Sequence, residues 1–276
     1  MLLIFDCYSG LCNQFYDIQC AVNFCLHFHI PFTFRYACFR TMNVEKFITC
    51  DFEQLFDETY FHEFDLYIPW KWLQLDKEDI YNEDGKLLCK DMFEEENPSS
   101  LAIYETLEKL ENRAIVLKQF WNCYKFEHQY ELVYPRLKPC AKLQLIYETI
   151  KKELGLENGK YNFLHYRHEV DFLNHFKITK LENINDLLNQ SLFQENDLKI
   201  YVATTNLRKL ITEEEHYNKI VFKEEDHELI ENLNFEERAF VDYLFGLHSI
   251  EVCGHSNSSF SHMLNNSKLS CNYYNE

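Results

Sequence analysis

The hydrophobic pattern of the first forty residues changes from a strand-like run to a helical period and back again. Residues 2–5 form a short apolar run that is typical of a buried strand. Across residues 13–29 the apolar positions recur at helical spacing, and Pro31 ends this segment. Residues 32–36 have the aromatic-rich composition of a second strand. The order strand, loop, helix, strand predicts the opening of a doubly wound α/β sheet.

The same alternation continues along the chain, with one poorer stretch at residues 45–112. Gly155 and Gly159 lie in a short stretch that interrupts the pattern, and we place a domain boundary there. The pattern therefore predicts two Rossmann-like α/β domains in series, residues 1–155 and 156–276. Further strands are predicted at 114–117, 161–166, 199–203, 219–222 and 250–253, and further helices at 142–154, 182–190, 206–212, 235–247 and 258–265.

Composition excludes several classes of protein. Hydrophobic residues make up 46% of the chain, which excludes global disorder, and a net charge of −18 argues against nucleic-acid binding. The eleven cysteines include no Cys-x-x-Cys pair, so we expect buried thiols in a reducing compartment and no zinc or disulfide framework. No apolar run is long enough to cross a membrane. We expect a soluble cytoplasmic protein without a bound metal or cofactor.

The densest group of charged side chains directly follows the predicted strand at 161–166. It comprises two histidines, an arginine and two carboxylates within His165-Tyr166-Arg167-His168-Glu169-Val170-Asp171. Open α/β sheets bind ligands at the carboxyl ends of their strands, and an arginine fork matches a diphosphate there. The alternative is a solvated strand end with a structural Arg–Glu pair.

Three other loops carry polar groups at positions where strands lead into helices. Gly10 and Cys12-Asn13-Gln14 open the first helix, whose N-terminal N–H groups favour an anion, although an ordinary turn capped by Asn13 fits as well. Thr204 and Thr205 follow a strand and suit either helix capping or phosphate binding. Ser258-Ser259-Phe260 opens the last helix in the same way.

Asp242 lies inside an otherwise apolar predicted helix. An unpaired carboxylate is costly in such surroundings. We therefore expect Asp242 either to reach a partner on a neighbouring loop or to contact a ligand.

Taken in order, these segments resemble the GDP-fucose-dependent fucosyltransferase superfamily, in particular its protein O-fucosyltransferase-like branch. The family's Gly-rich loop, His-x-Arg motif, helical Asp and Ser-Ser-Phe loop correspond to Gly10–Gln14, His165–Arg167, Asp242 and Ser258–Phe260. The resemblance implies a GT-B glycosyltransferase whose two Rossmann-like domains face a cleft. It places the acceptor side in residues 1–155 and the nucleotide-sugar donor in residues 156–276. A compact virus-encoded or bacterial member would suit these features, and a viral member would act in the host cytoplasm.

The resemblance also implies an inverting, metal-independent reaction in which L-fucose passes from GDP-fucose to a hydroxyl of a glycan or glycoprotein. Arg167 would neutralise the departing diphosphate, and Asn13 would face the reacting centre. The implied donor-binding residues are Gly10, Cys12, Asn13, Gln14, His165, Arg167, Thr204, Thr205, Asp242, Ser258, Ser259 and Phe260.

Two points stay open at the level of sequence. The base that deprotonates the acceptor is expected to be a carboxylate, and Glu169 and Asp17 are the candidates. The donor could be a UDP-sugar such as UDP-xylose, or the chain could be an inactive sugar-nucleotide or glycan-binding module. Cys12 stands where the family has a second glycine.

Overall fold

The computed structural model describes residues 1–40, 46–93, 98–124, 133–194, 197–205, 207–211, 218–223, 227–268 and 271–274. These residues form two compact units. The first contains Met1–Ala141 together with Asn234–Glu237, and the second contains Lys142–Leu233 and Arg238–Glu276. Among the described residues, no helix combines the length and the apolar character needed to cross a membrane.

The first unit is built on a five-stranded sheet in the order β3-β2-β1-β5-β4. Strand β3 is antiparallel to β2, and the other neighbours are parallel. The elements are β1 (Leu2–Asp6), α1 (Leu11–Phe28), β2 (Phe32–Arg40), β3 (Phe47–Asp51), β4 (Ile80–Tyr81), α2 (Ser100–Glu108) and β5 (Ala114–Lys118). Short 3₁₀ helices span Phe52–Gln54, Glu58–Glu63, Trp70–Trp72, Lys77–Asp79, Cys89–Met92, Phe120–Asn122 and Tyr134–Arg136.

The second unit is built on a parallel five-stranded sheet in the order β10-β9-β6-β7-β8. Its strands are β6 (Tyr161–His165), β7 (Lys199–Ala203), β8 (Ile220–Val221), β9 (Val252–His255) and β10 (Asn272–Tyr274). Its helices are α3 (Ala141–Glu153), α4 (Val170–His175), α5 (Ile184–Leu188), α6 (Ser191–Gln194), α7 (Leu207–Leu210), α8 (Phe235–His248) and α9 (Ser259–Lys268). The first residue of α3 and the first three residues of α8 are grouped with the first unit.

The central strands explain why the sequence shows apolar runs rather than alternation. Every residue of β1 and of β6 is buried, as expected for parallel strands that are covered on both faces. Helix α1 buries most of its residues from Leu11 to Cys25, and it ends at His29, which adopts a left-handed conformation with φ of 54°. The predicted strands and helices around 2–40 and 161–265 are therefore found close to their expected positions.

The structure divides the chain before α3, whereas the predicted boundary follows this helix. The sequence placed this helix in the first domain, whereas the structure groups it with the second unit. The Tyr147 ring meets the Phe245 ring edge-on at 4.9 Å, and its hydroxyl lies 3.0 Å from Nδ1 of His248. Packing against α8, rather than the later glycines, decides where α3 belongs.

Candidate functional site

Each sheet contains a topological switch point, a place where the chain adds strands on opposite sides of its first strand. In the second unit β7 lies on one side of β6 and β9 lies on the other. Ligands of open α/β sheets bind outside the carboxyl ends of strands at such a point. The strand-end residues there are His165, Ala203 and His255, and register pairs His165 with both Ala203 and Gly254. This edge is where the second unit would bind a ligand.

Arg167 is held at this edge from three sides. Its backbone N–H donates to the Tyr274 hydroxyl at 2.9 Å, and that hydroxyl donates to the His165 carbonyl at 3.1 Å. Its Nε donates to Glu169 Oε2 at 2.8 Å, and the guanidinium carbon lies 4.4 Å from the centre of the Phe172 ring. No hydrogen bond joins its two terminal nitrogens to another described residue. The fork is therefore oriented and still able to bind an anion.

His165, two residues before Arg167, is 7% exposed. Its Nδ1 is 3.1 Å from Ser261 Oγ, and its ring centre is 4.4 Å from that of Phe260. Burial lowers the pKa of His165 well below its usual value, and the charge of Arg167 lowers it further. The ring is therefore neutral at pH 7 and adds no charge to the site.

The depressed pKa predicts a pH dependence of stability. In the unfolded chain His165 gains a proton below about pH 6.5, whereas the buried ring does not, so the free energy of unfolding falls as the pH decreases. Between pH 7 and pH 5 the free energy of unfolding should fall by about 2 kcal/mol less in the His165→Gln variant than in the wild type. Urea denaturation at both pH values measures this difference. An unchanged pH dependence in His165→Gln would contradict the prediction.

Three buried polar atoms near the same strand ends have no hydrogen-bond partner within the described part of the chain. They are Thr204 Oγ1, Ser258 Oγ and His255 Nε2. Leaving such an atom unsatisfied costs roughly 1–3 kcal/mol, and each of these atoms is able to form a hydrogen bond with a bound molecule. Thr205 differs, because its hydroxyl lies 3.2 Å from His168 Nε2.

The Ser258–Phe260 segment divides into different roles. Ser258 is buried and precedes α9, Ser259 is the exposed first residue of that helix, and Phe260 packs on His165. Phe260 is 7% exposed and supports the histidine ring from behind, so its predicted direct contact with the donor is not supported. The helix itself offers N–H groups and partial positive charge at this end.

Asp242 has the partner that the sequence required. Its carboxylate accepts a hydrogen bond from the Tyr201 hydroxyl at 2.8 Å and pairs with the ammonium of Lys223, which follows β8. The side chains of Asp242 and Lys223 are 16% and 13% exposed. A ligand could reach this pair. Lys223 was not identified from the sequence, because it lies in the loop after a two-residue edge strand.

In the loop before α1 the positive φ angle occurs at a serine rather than at the neighbouring glycine. Ser9 has φ of 99°, whereas Gly10 is extended with φ of −60°. Gln14 is fully buried, accepts from the Cys38 N–H, and donates to the carbonyls of Ser9 and Cys38. Through these hydrogen bonds Gln14 holds the loop against β2. The predicted contact of Gln14 with the donor is therefore not supported. Cys12 and Asn13 remain partly exposed, and Asn13 donates to Ser9 Oγ at 2.9 Å.

The two candidate bases have different surroundings. Asp17 is 1% exposed and accepts from the backbone N–H groups of Tyr8 and Trp121 at 3.3 and 2.9 Å. Burial raises the pKa of Asp17 well above its usual value, but a carboxylate enclosed in the core cannot meet an acceptor hydroxyl, so this prediction is not supported. Glu169 is partly exposed, and its carboxylate orients Arg167.

Among the described residues, no group of three or more His, Cys, Asp or Glu side chains could hold a metal ion.

Comparison with known proteins matches the whole chain to solved fucosyltransferases. POFUT1 in complex with GDP-fucose has 10% sequence identity and a TM-score of 0.65, over 100% of this chain and 98% of that chain. NodZ α-1,6-fucosyltransferase soaked with GDP-fucose has 13% identity and a TM-score of 0.58, over 99% and 94%. Fucosyltransferase NodZ from Bradyrhizobium has 12% identity and a TM-score of 0.53, over 96% and 91%. No protein-family model and no curated protein matches the sequence.

The chain has the fold of the GDP-fucose-dependent fucosyltransferases. The predicted GT-B α/β class is thereby confirmed, and the resemblance found in four short motifs extends to the fold of the full chain. The predicted contacts of individual residues with a donor, and the cleft itself, stay predictions.

Several residues of this fucosyltransferase fold were missed at the sequence level. Tyr274 and Lys223 carry no motif of their own, and Ser261 lies one residue beyond the Ser-Ser-Phe loop. Gly254 has a negative φ, but a Cβ placed on it would lie 2.2 Å from Ser261 Oγ. Its signal in the sequence was a glycine directly after the predicted strand at 250–253, which indicates close backbone approach.

Proposed function

We propose that the chain is an inverting glycosyltransferase that moves L-fucose from GDP-fucose to a hydroxyl of a glycan or glycoprotein. The observation that carries the proposal is Arg167, fixed at the switch point of the second sheet with its terminal nitrogens available. The full-length likeness to POFUT1 in complex with GDP-fucose and to NodZ soaked with GDP-fucose supports the choice of sugar nucleotide. The eleven free cysteines support a reducing, cytoplasmic location.

The departing diphosphate needs stabilisation as the bond to the sugar breaks. In the proposed reaction Arg167 binds the phosphate oxygens through its fork, and the first turn of α9 contributes N–H groups. The Ser258 hydroxyl, which has no partner among the described residues, adds a further donor. Because these groups are already oriented, little reorganisation is needed when charge develops. We propose that this cationic edge serves in place of a metal ion.

The pair Asp242–Lys223 supports guanine as the base. A carboxylate can accept the two adjacent N–H groups on the edge of guanine, and a neighbouring ammonium can donate to its O6 atom. Uracil offers one N–H between two carbonyls and fits this pair less well. The comparisons lend no support to the UDP-xylose alternative.

Glu169 is the remaining candidate for the base that takes the acceptor proton. Its carboxylate already accepts from Arg167 Nε and from the His168 N–H. Each carboxylate oxygen has more than one lone pair, so the same group can orient Arg167 and accept a proton. We propose both roles for Glu169 in the reaction, the orientation of Arg167 and the acceptance of the proton.

Nucleotide preference gives a direct prediction. A ligand that binds only the native state raises the melting temperature, and at one hundred times its Kd the stabilisation is about 2.7 kcal/mol. GDP should therefore raise the melting temperature by roughly 5–10 °C, given 2–4 °C per kcal/mol for domains of this size. UDP and ADP at the same concentration should raise it by less.

The Asp242→Asn variant tests the assignment of the base contact. It should lose most of the advantage of GDP over UDP, while Asp186→Asn, an exposed control in the same unit, should keep it. A shift by UDP equal to that by GDP in the wild type would overturn the proposed donor.

A further inference from the structure

A cavity of about 230 Å³ lies in the first unit, apart from the residues discussed as the donor site. It opens at the switch point of the first sheet, where β2 and β5 lie on opposite sides of β1. Register places Tyr36 and Lys118 on either side of Asp6, so the carboxyl ends of three neighbouring parallel strands line the cavity. This is the position at which open α/β sheets bind ligands.

The inner wall of the cavity is rigid. Arg35 Nε and Nη2 donate to the two oxygens of Asp6 at 2.9 and 2.6 Å, and Nη1 donates to the Glu83 carbonyl at 3.0 Å. Arg35 and Asp6 are 4% and 7% exposed, and burial raises the pKa of Asp6 despite this pairing. Because each carboxylate oxygen keeps a second lone pair, Asp6 can still accept a hydrogen bond from a ligand.

The outer wall carries a positively charged hydrogen-bond donor and negatively charged acceptors. Lys118 Nζ lies 4.1 Å above the centre of the Tyr8 ring. Glu83 and Asp84 also line the cavity, and their carboxylates pair with Lys77 Nζ at 3.4 Å and with Lys86 Nζ at 2.7 Å. With Arg35 paired to Asp6 and both outer carboxylates paired to lysines, the lining holds charged hydrogen-bond donors and acceptors side by side. A neutral molecule rich in hydroxyl groups can accept from Lys118 and donate to the carboxylates at the same time.

Space at the wall depends on Gly85. Its φ is +60°, and a Cβ placed on it would lie 3.1 Å from Asp6 Oδ2. The absent side chain keeps the Asp6 carboxylate accessible. At about 30 Å³ per water molecule, the cavity holds roughly seven or eight waters, which matches one sugar ring rather than an oligosaccharide.

We propose that this cavity binds one neutral pyranose ring of the acceptor, with Lys118 donating to a ring hydroxyl and the carboxylates accepting from others. The lining residues Asp6 and Tyr8 lead directly into the loop at Ser9–Gln14, which connects the sugar pocket to the segment assigned to the reacting centre. That this sugar belongs to the acceptor rests on the proposed function, whereas the binding of a sugar ring in the cavity does not.

Saturation-transfer NMR on the full chain tests the proposal, with methyl glycosides of glucose, galactose, mannose, N-acetylglucosamine, xylose and fucose as probes. At least one should bind, and Lys118→Ala should weaken it about tenfold, because hydrogen bonds from a charged donor are the stronger kind. Lys71→Ala, which removes an exposed lysine of the same unit outside the cavity, should leave binding unchanged. Gly85→Ala should also weaken binding, and Lys118→Ala keeps the test decisive if that variant fails to fold.

The melting shift produced by GDP is measured on the same proteins, so the two proposals fail separately. Glycoside binding that depends on Lys118, without any change of the melting temperature by GDP, would support the sugar pocket and contradict the proposed fucosyl transfer. A GDP shift without glycoside binding, glycoside binding indifferent to Lys118→Ala, or displacement of the glycoside by inorganic sulfate would overturn the inference.

Discussion

Replacing Arg167 with alanine is expected to lower the turnover of GDP-fucose roughly a thousandfold, the loss typical of removing a pre-oriented group that stabilises developing charge. The loss should appear in kcat more than in KM, because the diphosphate carries more charge on leaving than in the bound donor. Release of GDP with and without an added acceptor measures it. Arg167→Lys keeps the charge but lacks the fork, so it should recover only part of the activity.

Folding must be separated from chemistry in this experiment. Arg113→Ala removes an exposed arginine of the first unit and should keep wild-type turnover. The melting temperature of Arg167→Ala should stay within a few degrees of the wild type, since its Glu169 pair is partly exposed. Near wild-type turnover in Arg167→Ala would remove the proposed mechanism. Glu169→Gln then distinguishes orientation from proton transfer, because only a base gives a changed pH profile of kcat.

Gly254→Ala is expected to cost about 3 kcal/mol of stability, toward the upper end for overpacking a well-packed core. The new methyl group would lie 2.2 Å from Ser261 Oγ and 2.7 Å from Ser261 Cβ. Strand β9 and helix α9 would have to separate, and the His165–Ser261 contact would change with them. Differential scanning calorimetry should show a melting temperature lowered by roughly 6–12 °C.

A pair of second-site variants identifies the cause of that loss. Ser261→Gly removes both clashing atoms and should restore part of the stability of Gly254→Ala, apart from about 1 kcal/mol for glycine within a helix. Ser261→Ala keeps the Cβ at 2.7 Å and should restore little. Equal rescue by both variants would mean that the crowding does not arise at Ser261.

The elements around the central strands could be predicted because local pattern and tertiary position agree there. The apolar runs of β1 and β6 are buried on both faces, and α1 ends at His29, two residues before Pro31, whose ring could not continue a helix. Strand β4 has two residues and β10 has three, too few for a pattern to develop. Helix α2 was missed in the poorly patterned stretch, although Ser99 caps it by accepting from the Ala102 N–H.

The candidate site could be predicted only as far as it lies next to recognisable motifs. His165 and Arg167 follow a strand and stand in a motif, so their position was foreseen. Tyr274 meets them from 109 and 107 residues away, and no local pattern encodes such a contact. Gln14 and Asp17 look like ligand-facing polar groups in the sequence, and only the fold shows that backbone groups satisfy them.

The bridge made by the Tyr274 hydroxyl has a consequence for synthesis of the protein. A ribosome delivers β6 long before it delivers β10, and domains generally fold as units during translation. Until β10 joins β9, the Arg167 N–H and the His165 carbonyl lack the hydroxyl that joins them. A nascent or truncated chain that ends before Tyr274 should therefore be unable to hold a nucleotide, even when its first unit has already folded.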